Sequence, residues 1–130
     1  MKKSTIIIKF ILTVSVLLIS FVACKTVPTE VSSTVTEAEL FQLAQTEIDN
    51  DNPEAARFYF EKVIFMYGTN YTSLVIAEYE LAHLDIKEKK YMSAKPQLEK
   101  VVSYYDDPDL APLLNPSYKK LALLDLEKCK

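Results

Sequence analysis

Glycine and histidine each occur once in this chain of 130 residues, and each near-absence removes a class of chemistry. The single glycine, Gly68, cannot build the glycine-rich loop that cradles a phosphate. The single histidine, His83, leaves no pair of imidazoles for zinc and no second histidine for a triad. Its neighbours Leu81, Ala82 and Leu84 are framework residues, so His83 reads as a surface or groove side chain. Asp106, Asp107 and Asp109 crowd one short stretch, but a calcium loop needs more ligands and a glycine, so they read as a solvated turn. No pair of carboxylates stands out for acid–base work. The sequence predicts no enzyme, no catalytic residue, no metal and no cofactor.

Positive charge is also short. There are 15 Lys and Arg against 18 Asp and Glu, and without Lys2, Lys3 and Lys9 at the start the balance is 12 to 18, net −6. That acidity disfavours nucleic acid and anionic lipid head groups as partners. Cysteine occurs twice, at Cys24 and Cys129. With Cys24 modified, Cys129 is a single thiol beside Lys130, incidental or available for an intermolecular disulfide.

What is present begins with Lys2, Lys3 and Lys9, followed by an uncharged, mostly apolar run from Phe10 to Ala23. The run is short for a membrane span of roughly 20 residues and reads as a secretory signal over residues 1–23. It closes on Phe21-Val22-Ala23-Cys24, which resembles the lipobox of bacterial lipoproteins. In that family the cysteine sulfur takes a diacylglycerol and the signal is cut before it. The resemblance implies lipidation at Cys24 and a chain held on a membrane of the bacterial envelope, facing periplasm or exterior. Phe21 stands where leucine is usual, a change that the relaxed boxes of some bacterial groups, spirochaetes among them, tolerate. An ordinary cleaved signal and an uncleaved N-terminal anchor are the alternatives, and all three put residues 25–130 outside the cytoplasm. At roughly 0.8 kcal/mol per buried methylene, two or more acyl chains hold a protein stably on a bilayer. Residues 24–36 then form the lipidated cysteine and a tether, flexible because Ser, Thr and Val dominate with no helical period.

From Glu37 onward apolar residues recur at helical spacing, as at Leu40, Leu43, Ala44 and Ile48, and no stretch keeps a two-residue period. The class is all-α, with the domain over residues 37–130. Helices are predicted over 37–50, capped by Thr36 with Glu39 completing a capping box; over 53–67, capped by Asn52 and stopped by Gly68; and over 73–89. A fourth is expected over about 92–105 and a fifth over 116–128, capped by Asn115. Pro96 is awkward inside the fourth, and a late start with Ser93 as cap puts it in the first turn; a kink is the alternative.

The chain also repeats itself. Shifted by 38 residues, Leu43-Ala44 falls on Leu81-Ala82, Ile48 on Ile86, Ala56 on Ala94, Phe60 to Ile64 on Leu98 to Val102, and Tyr67 on Tyr105. A partial third copy follows after 40 residues, Leu81 to Ile86 matching Leu121 to Leu126. This pattern resembles the tetratricopeptide repeat. There a large then a small residue marks the first helix, and an early alanine, a bulky residue and a smaller one mark the second, here Ala56, Phe60, Val63 and Ala94, Leu98, Val101. Small residues let antiparallel helices approach and large ones fill the space beside them. The resemblance covers about residues 37–128 and implies a short solenoid of antiparallel helix pairs, two repeats plus a C-terminal capping helix bearing Lys119, Lys120, Glu127 and Lys128. It departs in its period, which implies a longer loop between pairs, and in Glu47 and Asp85, which hold the place of a usual aromatic. The stretch from Tyr67 to Tyr71 and on to Ala82 is similar to BamD-like outer-membrane assembly lipoproteins and related periplasmic coordinators.

In that family the first helices line a concave face. Carried onto this chain, the groove takes Phe41, Gln42, Gln45 and Asp49 from the first copy. Tyr79, Glu80, His83 and Lys87 come from the second, and Lys119 and Lys120 from the third. Such a mixture suits a peptide segment or partner helix. The second helix is apolar nearly all round, so it is either the central helix or marks a second interface at Phe58, Lys62 and Phe65. The function implied is an interaction scaffold or assembly-complex subunit at the envelope, with an envelope protein as partner and a homo-oligomer possible. The alternative is an accessory ligand-binding lipoprotein of a small-molecule transporter.

Overall fold

The computed structural model describes residues 25–130; the apolar N-terminal run and Cys24, the expected lipidation site, lie outside the described residues. Within them the regular structure is helical: α1 Glu37–Asp49, α2 Pro53–Tyr67, α3 Tyr71–Lys87, α4 Tyr91–Ser103 and α5 Pro116–Glu127, with 3-10 turns at Tyr104–Asp106 and Ala111–Leu113. None of these helices is long and apolar enough to cross a membrane.

The starts follow local chemistry. Thr36 and Glu39 close the expected capping box on α1, Thr36 Oγ1 accepting from the Glu39 N–H at 3.3 Å and the Thr36 N–H donating to Glu39 Oε2 at 2.7 Å. Asn115 caps α5 as expected. Asn52 begins α2 without a side-chain cap: its amide nitrogen donates to Glu47 Oε2 and to the Thr26 carbonyl, and its Oδ1 accepts no hydrogen bond. The third helix begins at Tyr71, capped by Asn70, and Ser73 is buried inside it. That start answers the question of the long period. α1 has 13 residues and α3 has 17, so the extra four are one added helical turn rather than a longer loop.

Pro96 sits in the second turn of α4, which starts at Tyr91 and not at Ser93. Ser93 thus lies inside the helix, and its hydroxyl donates to Asp85 Oδ2 at 2.7 Å. Pro96 therefore denies the Met92 carbonyl its helical partner, at a place where Met92 is almost fully exposed and water can substitute. Gly68 ends α2 at φ −64°, a right-handed conformation open to any residue. Its requirement is steric, since an added Cβ would stand 2.4 Å from the Ile64 carbonyl oxygen.

α1 and α3 end on the same device. Asp51 and Lys89, 38 residues apart, both take positive φ, 54° and 61°. The next N–H reaches back to close the helix: Asn52 to the Glu47 carbonyl and Lys90 to the Asp85 carbonyl, both at 2.8 Å. Glycine is the usual occupant of this left-handed position, and a non-glycine residue there costs about 1 kcal/mol.

Packing fixes the directions. Arg57 near the start of α2 and Ser93 near the start of α4 both reach Asp85 near the end of α3, so α2 and α4 run antiparallel to it. Tyr79 meets Tyr118, and His83 meets Asp125, so α5 runs parallel to α3. The repeat positions take equivalent places. Ala44, Ala82 and Ala122 are fully buried, as are Ala56 with Ala94 and Val63 with Val101. Tyr67 and Tyr105 each donate the phenol to a backbone carbonyl, of Val35 at 2.6 Å and of Asn115 at 2.7 Å. One cluster centres on Leu40, Phe60 and Val63, the other on Val75, Leu98 and Val101. Each such side chain contributes roughly 1.5–3 kcal/mol on burial. The leading leucine of the pattern is less involved: Leu43 is 37% and Leu121 40% exposed.

The expected tether lies against the bundle. The Lys25 ammonium bonds both the Asp51 carbonyl and its carboxylate, and Asn52 holds the Thr26 carbonyl. Val31 and Val35 pack on the first cluster. The segment thus runs alongside α1 and α2 from the turn between them to the start of α1.

Candidate binding surfaces

The repeat puts one carboxylate at the same place on each first helix: Glu47, Asp85 and Asp125. All three are occupied, and Asp85 and Asp125 are buried. Glu47 accepts from Asn52 at 2.9 Å. Asp85 accepts from Arg57 at 2.6 Å, Ser93 at 2.7 Å and Gln97 at 2.8 Å, which joins α2, α3 and α4. Burial alone would raise its pKa, but the bonds from Ser93 and Gln97 and the Arg57 guanidinium outweigh burial and hold it below the usual range. Asp125 lies 2.6 Å from His83 Nδ1 and 2.7 Å from the Lys128 ammonium, and accepts the Tyr79 hydroxyl at 3.2 Å. Burial is likewise outweighed there, by Lys128 and His83. The bonds from His83 and Tyr79 clasp α5 to α3 and leave His83 joined to a structural carboxylate.

The expected groove is therefore divided. Tyr79, predicted to be exposed, is only 4% exposed, because its ring packs on Tyr118 and stacks on His83 while its hydroxyl is taken by Asp125. Burial pushes its phenol up and also raises the Glu80 carboxyl, the latter offset in part by His83 and Lys87. On α1, Phe41 is half-buried against Phe60, and Gln45 donates to Asp49 at 2.9 Å. Gln42 lines an open groove with Ser32, Val35 and Leu43, whereas Lys87 lines a separate cleft with Ile48, Asp51 and Leu84. Lys119 leans over the Tyr105 ring toward Asp106, and Lys120 lies with Leu123 and Leu124 on the outer face of α5. Neither lysine joins Tyr79 or His83.

The second set is brought together. Phe58, Lys62 and Phe65 form one ridge on α2, the Lys62 ammonium 5.2 Å from the Phe58 centroid and 5.8 Å from that of Phe65. Phe65 is 85% exposed. Sequence reasoning missed the Asp125 clasp and the Arg57 node, although the repeat alignment had already superposed their carboxylates. Cys129 is half-buried; its thiol, 3.5 Å from the Asp125 carbonyl, is pushed up by burial and by Asp125. Among the described residues no group of three or more His, Cys, Asp or Glu could hold a metal ion.

No family model matches the chain, and no solved structure matches it. It is 36% identical over 110 residues to a protein of Treponema pallidum (strain Nichols) described as uncharacterized, an alignment covering 83% of this chain. The chain spans 44% of that relative's length.

Proposed function

We propose that this protein is an envelope lipoprotein, anchored through Cys24, whose short tetratricopeptide-like stack of helix pairs scaffolds other envelope proteins. The ridge of Phe58, Lys62 and Phe65 carries the reading. A phenylalanine 85% exposed on a well-packed helix, beside a lysine shared with a second phenylalanine, is the kind of surface that a partner desolvates. The 38-residue repeat, with its alanines buried at equivalent places, supports the solenoid. The clefts lined by Gln42 and by Lys120 lie open along the surface, which suits a protein partner better than an enclosed small molecule.

In the protein's own cells, Cys24→Ala is expected to shift the chain from the membrane to the soluble fraction. A photo-crosslinker at position 65 is expected to capture a discrete envelope partner, lost in Phe58→Asp. A Cys24→Ala chain that stays on the membrane removes the anchor. Absence of any adduct at 65, with crosslinkers on α1 also silent, removes the scaffold.

A further inference from the structure

The outer face of α5 is not that of a cap. The expected capping helix would present polar residues outward, yet Leu123 is 46% and Leu124 53% exposed. Pro116, Lys120, Leu123 and Glu127 follow at steps of four, three and four, the spacing of a seam that faces another helix. With Lys119 and Leu124 they line one open groove of about 450 Å³. The fold does not use this seam: α5 packs inward through Ala122, Asp125 and Leu126.

The order of charges along the seam selects its occupant. Lys120 stands one turn before the leucine pair and Glu127 one turn after it. Laid antiparallel on a second α5, about a two-fold axis between residues 123 and 124, Leu123 meets the second copy's Leu124. Lys120 then meets Glu127 twice. A parallel pairing would set Lys120 on Lys120 and Glu127 on Glu127. A two-fold contact requires one patch to complement itself, and this patch does so in one orientation only. We infer that α5 is a self-association face, through which two copies of this chain pair antiparallel. Glu127 also meets Lys130, just beyond the end of its own helix, at 2.5 Å, but both side chains are exposed, so that pair yields readily. The α2 ridge, on a different helix, takes no part in the pairing.

Charge reversal tests this directly. The full chain in mild detergent is followed by sedimentation velocity over a range of concentrations, with K120E, E127K and the double variant K120E/E127K. Each single reversal sets like charges opposite each other twice and is expected to weaken dimerisation about tenfold. The double reversal is expected to restore it to within about twofold. Circular dichroism keeps loss of pairing separate from loss of fold, and Leu123→Asp gives a fully monomeric reference with helix content intact. A wild type that stays monomeric throughout overturns the inference. So does a double variant as weak as the singles, or a dimer that Phe65→Asp breaks and K120E spares.

Discussion

Leu40→Ala will lower the unfolding free energy by about 2–5 kcal/mol, while Leu43→Ala, on the same helix, will lower it by less than about 1 kcal/mol. The chemistry of the two changes is identical and only the surroundings differ. Leu40 is fully buried among Ala44, Phe60 and Val63, and its truncation leaves a cavity between α1 and α2. Leu43 is 37% exposed and its removed atoms were already partly in water. Urea unfolding followed by circular dichroism gives both numbers, and equal losses would contradict the packing described. A domain of this size buries a modest fraction of its surface, so the Leu40 variant is expected to be close to unfolded at physiological temperature.

Asp85→Ala is the second large effect, expected to cost about 2–4 kcal/mol. The carboxylate is almost fully buried, and its loss strips Arg57 of one of its two acidic partners, leaves the Ser93 hydroxyl without its acceptor and takes one of the acceptors of the Gln97 amide. The change also alters the response to acid. Asp85 in the fold lies below its ordinary value of 3.8, so its contribution is fully present above that value and disappears as pH falls through the lower folded value. Asp125 acts in the same direction. Stability of the wild type should hold to about pH 4 and fall below it, whereas Asp85→Asn should start lower and fall less. Parallel acid limbs for the two proteins would show that Asp85 carries no linked proton.

Much of this fold was legible because its signals are local or periodic. Caps at Thr36 and Asn115, the breaks between helices and the buried alanines all follow from neighbours in sequence or from a 38-residue shift. Periodicity gives the apolar stripe but not its centre, which is why Leu43 looked as central as Leu40. Tyr79 was misplaced because its partner Asp125 lies 46 residues away, beyond any local pattern. The segment before α1 looked free because it has no helical period. Yet its valines at 27, 31 and 35 recur every fourth residue, and two of them pack on the bundle. The α2 ridge could be read in advance since Phe58, Lys62 and Phe65 share one helical face. The outward leucines of α5 could not, because a resemblance to capping helices assigned that face before its neighbours were known.

The bond from Lys25 to Asp51 has a mechanical meaning. A pull on the chain ahead of Lys25 does not first reach the start of α1; it arrives at the turn between α1 and α2, through Lys25 and through the Asn52 grip on Thr26. Only after that clamp yields does force travel along residues 27–36 to the capped start of α1. A molecule dragged by its N-terminal segment should therefore give way in two stages, the clamp at Asp51 before the bundle.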